Sequence, residues 1–154
     1  MSPVAYNLCI TLSLVLGPTL LIGGLSEYFT LRNQLRGPMP VTPRALVKDV
    51  LRTAYKAVRA GFTTKALARM ENGEQCFVND NRAITWSLVG ALQFGELRLA
   101  ERHGAERAWV AYSTACEIIS RQIPGDFNGN ILRWGDTISQ TQALEVIQRA
   151  AGEC

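Results

Sequence analysis

After residue 43, apolar side chains recur every three to four positions through most of the chain. The first such series comprises Val47, Val50, Leu51, Ala54 and Val58. This spacing places the series on one face of an α-helix, with polar residues on the opposite face. Thr42 as N-cap and Pro43 as the first helical residue favour a start there, and Gly61 favours a stop. We therefore predict an amphipathic helix that ends near Ala60.

Further helices are predicted where the same spacing is bounded by capping residues, prolines or glycines. The predicted helices are 62–70, 82–103, 106–123 and 140–151, with an extended piece at 75–78 and a loop at 126–136. Asn79 or Asp80 is the expected cap of the longest helix, and Ser139 forms a capping box with Gln142 before the last one. The fold class that follows is all-α, a small bundle of four to five helices.

The longest predicted helix should pack one face against the rest of the bundle. The side chains expected on that face are Ile84, Leu88, Ala91, Leu92 and Leu99. Gly90 has no side chain and would let another helix approach closely, with Trp86 as a large core residue opposite it. This arrangement predicts that the helix lies at the centre of the domain.

The N-terminal segment differs from the rest because it carries no formal charge before Glu27. As a helix, Leu8 to Leu25 would rise roughly 27 Å, nearly the thickness of a bilayer hydrocarbon core. We expect a membrane-spanning helix within residues 1–30. A buried helix of a soluble protein is the alternative, and a cleaved leader fits less well because no Lys or Arg precedes the apolar run.

The positions of prolines and charged residues predict the domain boundaries and the orientation in the membrane. Residues 31–42 form a linker rich in proline and glycine, and residues 43–154 form the helical domain. Positive residues follow the apolar segment and none precedes it, so the positive-inside rule predicts an N-terminus outside and a cytoplasmic domain. The chain is expected to be a single-pass protein of the cell (inner) membrane.

The first domain helix carries a basic stripe on a face other than its apolar one. Its members are Arg44, Lys48, Arg52 and Lys56, spaced every four residues. Three interpretations remain open: a solvated face, a contact with anionic lipid, or a contact with nucleic acid or an acidic protein. The formal net charge of +3 is too small to imply nucleic acid. Proximity to the predicted span favours lipid over nucleic acid.

Other candidate chemistry is sparse. The four cysteines show no paired spacing and a single histidine, His103, is present, so neither a metal site nor a disulfide framework is predicted. No signature of a nucleotide-binding loop, a hydrolase nucleophile or a zinc protease occurs. A protonated His103 is expected to interact favourably with the dipole at the C-terminal end of its helix. We therefore expect no cofactor and no enzymatic activity.

Trp134 and Asp136 are the exception, because an aromatic residue and an acid in a loop that contains glycine can line a small pocket. A structural role is the simpler interpretation. In that case Trp134 closes the core, and Asp136 caps the last helix or interacts with its dipole.

Two short segments carry a resemblance. Trp86-Ser87 is followed by Gly90-Ala91-Leu92, and Trp134-Gly135-Asp136 precedes the last predicted helix. These segments resemble a bacterial and phage family of small helical domains of unknown function, with signatures W-C-x-x-G-A-L and W-N-D. The resemblance covers residues 44–151 and implies a helical fold without implying an activity. Ser87 and Gly135 depart from the signatures, so any chemistry at those positions would be absent here.

Two hypotheses for function follow from these features. The first is a membrane-anchored helical accessory or interaction protein, a non-catalytic subunit of a larger membrane complex. Its partners would be the lipid bilayer and other membrane or membrane-associated subunits, with nucleic acid unlikely. The second is a soluble helical ligand-binding or enzymatic domain, with the N-terminal helix buried in its core or in an oligomer interface.

Overall fold

Five α-helices and a three-stranded antiparallel sheet make up the computed structural model, which describes residues 43–154. The helices are α1 (Arg44–Ala60), α2 (Leu88–His103), α3 (Ala105–Ser120), α4 (Ile131–Gly135) and α5 (Gln140–Glu153). The strands are β1 (Ala68–Met70), β2 (Gln75–Cys76) and β3 (Ala83–Trp86). The predicted apolar helix, the linker and the Thr42 cap lie outside the described residues.

The four long helices, α1, α2, α3 and α5, enclose one hydrophobic core. All five apolar side chains predicted for the inner face of α1 are buried. Helix α1 packs against the other three long helices, and α2 also packs against α3. The bundle therefore forms as the helical spacing predicts, with each amphipathic helix burying its apolar face.

The segment after α1 departs from the prediction of a further helix. The prediction of a helix at 62–70 is wrong, because β1 lies there and pairs with both β2 and β3. In the register, Ala68 lies opposite Cys76 on one side and Trp86 on the other. The extended piece predicted at 75–78 is confirmed in part by β2. The domain is thus mainly helical, as predicted, with a small sheet that the prediction did not include.

Helix α2 begins six residues later than predicted. Residues 83–86 form β3, and Ser87 rather than Asn79 or Asp80 caps α2, its hydroxyl accepting a hydrogen bond from the Gly90 N–H at 3.1 Å. Ile84 therefore lies on a strand and is 47% exposed, which contradicts its predicted core position. The other four predicted inward residues of this helix are buried.

The backbone of a loop packs closely against Gly90. A Cβ atom built on Gly90 would lie 1.9 Å from the Leu67 carbonyl oxygen, and the Ser87 N–H donates to the same oxygen at 3.0 Å. The prediction that another helix packs there is wrong. The chain before β1 instead lies directly on the first turn of α2.

The second half of the domain follows the predicted order with shifted boundaries. Helix α3 ends at Ser120, before the predicted Ile123, and the predicted loop at 126–136 contains a 3₁₀ turn and α4. The capping box of Ser139 and Gln142 is confirmed, and α5 continues past Ala151 to Glu153. Within residues 43–154, no helix is long and apolar enough to cross a bilayer.

Candidate functional site

The predicted basic stripe lies on the exposed side of α1. The side chains of Arg44, Lys48, Arg52 and Lys56 all belong to exposed residues. The opposite side of α1 is held in the core by residues such as Val50 and Leu51, which are fully buried. Because one side is packed, the orientation of the helix is set, and the stripe must face outward.

Two further arginines extend this stripe. Arg59 is exposed and lies seven residues after Arg52, which places it on the same side of α1. Arg102 reaches over from α2, where its Nη1 atom lies 3.8 Å from Asp49 Oδ2. We call these six residues the cationic face: Arg44, Lys48, Arg52, Lys56, Arg59 and Arg102.

Asp49 is the carboxylate within this face. Its Oδ1 atom accepts a hydrogen bond from Arg52 Nη1 at 3.0 Å, and its Oδ2 atom faces Arg102. One carboxylate thus lies between two guanidinium groups and neutralises only part of their charge. Because a carboxylate between two like charges reduces their mutual repulsion, Asp49 favours this arrangement of Arg52 and Arg102 while the face stays positive.

The start of α1 lies beside the end of α5. Burial raises the pKa of the Cys154 thiol, and the nearby positive charges of Lys48 and Arg44 oppose that rise. At the other end of this helix pair, Gln140 Nε2 donates to the Val58 carbonyl oxygen at 2.7 Å. The two helices therefore run antiparallel, and α5 forms one border of the cationic face.

An open groove of about 320 Å³ lies along the surface where α1 and α5 meet. It is lined by Lys48, Leu51, Arg52 and Tyr55 of α1 and by Ile147, Gln148 and Ala151 of α5. We call it the α1–α5 groove. Lys48 and Arg52 belong to both the groove and the cationic face, so the recess opens within the charged surface.

Trp134 and Asp136 make different contacts at the end of α4. Trp134 is only 8% exposed and packs into the hydrophobic core, as its structural interpretation predicts. Asp136 Oδ1 accepts a hydrogen bond from the Lys65 backbone N–H at 2.7 Å. The expectation that Asp136 caps the last helix is wrong, because Ser139 takes that position.

The Asp136 contact has a conformational consequence for the loop before β1. Lys65 has a φ of 59°, a left-handed conformation that is uncommon for a residue with a side chain. The carboxylate of Asp136 binds the N–H of that residue and thereby stabilises the conformation. Asp136 thus connects the end of α4 to a loop 71 residues away in sequence.

Trp86 is half-buried at the edge of the sheet rather than deep in the core. Its indole Nε1–H donates to the Val78 carbonyl oxygen at 3.0 Å, and its ring lies 5.4 Å from the Phe94 ring. The guanidinium carbon of Arg98 lies 5.2 Å from the centre of the same Phe94 ring. These contacts join the sheet to α2, so Trp86 has a structural role here.

The remaining candidate nucleophiles and bases include the thiol and the phenol of α3. Burial raises the pKa of the Cys116 thiol to about 12, with a hydrogen bond to Tyr112 opposing the rise. Burial likewise raises the pKa of Tyr112. His103 is exposed in the last turn of α2. No group of three metal-ligating side chains occurs within residues 43–154.

Comparisons with known proteins give no relative from which function can be transferred. No family model, no curated protein and no solved structure matches this chain. The resemblance to the phage and bacterial domain family therefore stays a prediction.

Sequence reasoning found four of the six members of the cationic face. Arg59 was detectable, since its seven-residue spacing from Arg52 is visible in the sequence. Arg102 was not, because it comes from a different helix and depends on how α2 packs against α1. The α1–α5 groove was undetectable for the same reason.

Proposed function

We propose that this chain is a membrane-anchored, non-catalytic helical interaction protein whose domain contacts anionic headgroups through the cationic face. In this proposal the apolar N-terminal segment is the anchor, with the N-terminus outside and the domain on the cytoplasmic side of the inner membrane. The domain then lies close to a leaflet that carries anionic lipid. The observation that carries the proposal is the cationic face itself.

The charge arrangement supports a broad anionic surface as the partner. Five of the six cations are carried by one helix, α1, which presents them in a row along its exposed side. Each basic residue close to an anionic leaflet contributes about 1 kcal/mol of binding free energy. A row of this kind matches a flat, negatively charged surface better than it matches a single small ligand.

A non-catalytic role is supported by the structural contacts of the titratable groups. Asp136 binds the Lys65 N–H, and Asp49 lies between two arginines. Cys116 keeps its proton because of its raised pKa, which makes it a poor nucleophile. The partners of the domain would therefore be the bilayer and other membrane-associated subunits, rather than a substrate.

The anchor is tested by fractionation of cells that express the full chain. A spanning helix keeps the protein in the membrane fraction after washing with alkaline carbonate and high salt, whereas a protein bound by charge alone is released. Complete release would contradict the anchor and favour a soluble domain with a buried N-terminal helix.

The cationic face is tested with the full chain in lipid nanodiscs. Energy transfer from the domain tryptophans to dansyl-labelled headgroups should increase when phosphatidylglycerol replaces part of the phosphatidylcholine, and should decrease with salt. Replacing Arg44, Lys48, Arg52 and Lys56 by Gln should abolish the increase.

A matched control removes the same charge from other surfaces. Its exposed sites are Arg82, Arg107, Arg121 and Arg133, each changed to Gln. This control should retain the response to phosphatidylglycerol. An equal loss in both variants would show that net charge, rather than the cationic face, attracts the domain. Tight binding of DNA or RNA by the full chain, with no preference for phosphatidylglycerol, would contradict the proposal as a whole.

A further inference from the structure

The α1–α5 groove is a recess within the cationic face. Leu51 and Ile147 lie almost fully buried beneath it, so the carbon surface that it exposes comes from partly buried side chains such as Tyr55. Ala151 is partly buried on the α5 wall, and its short side chain leaves the recess open. Anions attracted to the face therefore meet an apolar surface at this position in addition to positive charge.

The polar groups of the groove lie mainly on its α1 wall. Lys48 and Arg52 are one helical turn apart, and Tyr55 follows three residues later. Arg52 donates from Nη1 to Asp49, which leaves its Nε and Nη2 groups without a partner among residues 43–154. The α5 wall contributes the neutral amide of Gln148, and none of the lining residues is a carboxylate.

These features select a ligand that is anionic at one end and apolar at the other. Ammonium and guanidinium groups one turn apart are well suited to share the oxygens of one phosphate group. The phenol of Tyr55 adds a hydrogen-bond donor on the same wall. The carbon surface of Tyr55 and Ala151 suits methylene groups, which a free inorganic phosphate does not have.

We propose that the α1–α5 groove seats the headgroup of one anionic phospholipid, with its phosphate between Lys48 and Arg52 and its glycerol end against Tyr55 and Ala151. This inference rests on the proposed function, because the cationic face must first bring the domain to the leaflet. It adds a defined binding position to an otherwise diffuse attraction. The rest of the face then contributes charge without a fixed lipid contact.

The lysine positions of this chain allow a direct test. The chain has three lysines: Lys48 lines the groove, Lys56 lies on the cationic face outside the groove, and Lys65 lies in the loop before β1. The full chain in nanodiscs is treated with an amine-acetylating reagent, and the rate at each lysine is followed by mass spectrometry. Discs of phosphatidylcholine are compared with discs that also contain phosphatidylglycerol.

A seated headgroup should slow acetylation of Lys48 more than that of Lys56. We expect phosphatidylglycerol to slow Lys48 about fivefold relative to Lys56, the factor that one close basic contact contributes, and to leave Lys65 unchanged. Equal protection of Lys48 and Lys56 would overturn the groove while leaving the proposed function standing. No protection of either lysine would overturn both.

Filling the groove without changing charge isolates the recess. Ala151→Leu should remove the extra protection of Lys48 and leave that of Lys56 in place. Ala105→Leu is the matched control, since Ala105 is an exposed alanine at the start of α3 and does not line the groove. Persistence of the extra protection in Ala151→Leu would overturn the proposal.

Two further arms complete the test. Tyr55→Phe keeps the ring and removes the hydroxyl, so it should reduce the extra protection of Lys48 without changing far-UV circular dichroism. Soluble glycerol phosphate, added to discs of phosphatidylcholine alone, should not protect Lys48. Full protection by that soluble probe would make the groove a site for a small phosphate ester and overturn the lipid assignment.

Discussion

The helical framework and the segment from Gly61 to Ser87 are stabilised in different ways. In the framework, which comprises helices α1 to α5, apolar faces pack around one core, and side chains such as Leu51, Leu92 and Ile119 are fully buried. In the segment, the strands are two to four residues long, and Phe77 beside β2 is 83% exposed. The segment thus has little apolar burial of its own, and short sheets without such burial are marginally stable.

What keeps the segment in place is a small number of specific contacts to the framework. The Leu67 backbone lies against Gly90, the Lys65 N–H binds Asp136, and Trp86 contacts Phe94. Losing one framework side chain should therefore destabilise the whole domain, whereas losing one of these contacts should first release the segment. Each prediction below tests that difference, with chemical unfolding and hydrogen exchange measured on the full chain.

The largest effect is expected from a framework residue. Trp134→Ala removes a large buried side chain and should lower the free energy of unfolding by about 3 to 5 kcal/mol. Urea unfolding followed by far-UV circular dichroism should show one cooperative transition at lower urea. Trp86→Ala, which truncates a half-buried side chain, should cost less. An unchanged midpoint for Trp134→Ala, with loss of partner binding, would make that position a binding site rather than a core residue.

A slightly smaller effect is expected where the segment lies on α2. Gly90→Ala places a methyl group only 1.9 Å from the Leu67 carbonyl oxygen, and should cost about 3 kcal/mol because the backbone must move. Gly152→Ala is the matched control, since nothing lies within 4 Å of its Cβ position. That control should be neutral or stabilising by up to about 1 kcal/mol. Tolerance of Gly90→Ala would contradict the close approach.

The Asp136 contact should show the local character of the segment. Asp136→Ala removes the acceptor for the Lys65 N–H and should cost about 1 to 2 kcal/mol, as for a hydrogen bond to a charged group. Hydrogen exchange at the Lys65 amide should accelerate while exchange in α1 and α3 stays slow. Asp126→Ala, an exposed acid in the 3₁₀ turn, serves as the control. Uniform acceleration throughout the domain would show that the segment and framework unfold together.

The smallest effect concerns pH and the framework thiol. The folded pKa of Cys116 is raised to about 12, so the folded state retains a proton that the unfolded state releases above about pH 9. The stabilising contribution of the Cys116 proton is therefore fully present well below pH 9. The free energy of unfolding should decrease by about 1 kcal/mol between pH 9 and 10. Cys116→Ala should flatten this dependence, although the raised pKa of Tyr112 preserves part of it. An identical pH profile in both proteins would contradict the burial of the thiol.

The predictions from sequence succeeded where the signal was local. The end of α1 at Ala60 and the capping box at Ser139 each involve residues within one turn of the helix terminus. Helix α1 begins at Arg44 after Pro43, one residue later than predicted. The prediction failed at β3, where Ala83 to Trp86 has a spacing compatible with either a helix or a strand. Pairing with β1, a partner more than ten residues away, decided between them.

The same division applies to the candidate site. The charged row on α1 follows from the sequence alone, because a four-residue spacing and one apolar face determine which side chains point outward. Arg102 beside Asp49 and the groove against α5 depend on the packing of separate helices. Helical periodicity acts over a few residues and is written in the chain, whereas the distance between two helices is set only when their apolar faces meet in the core.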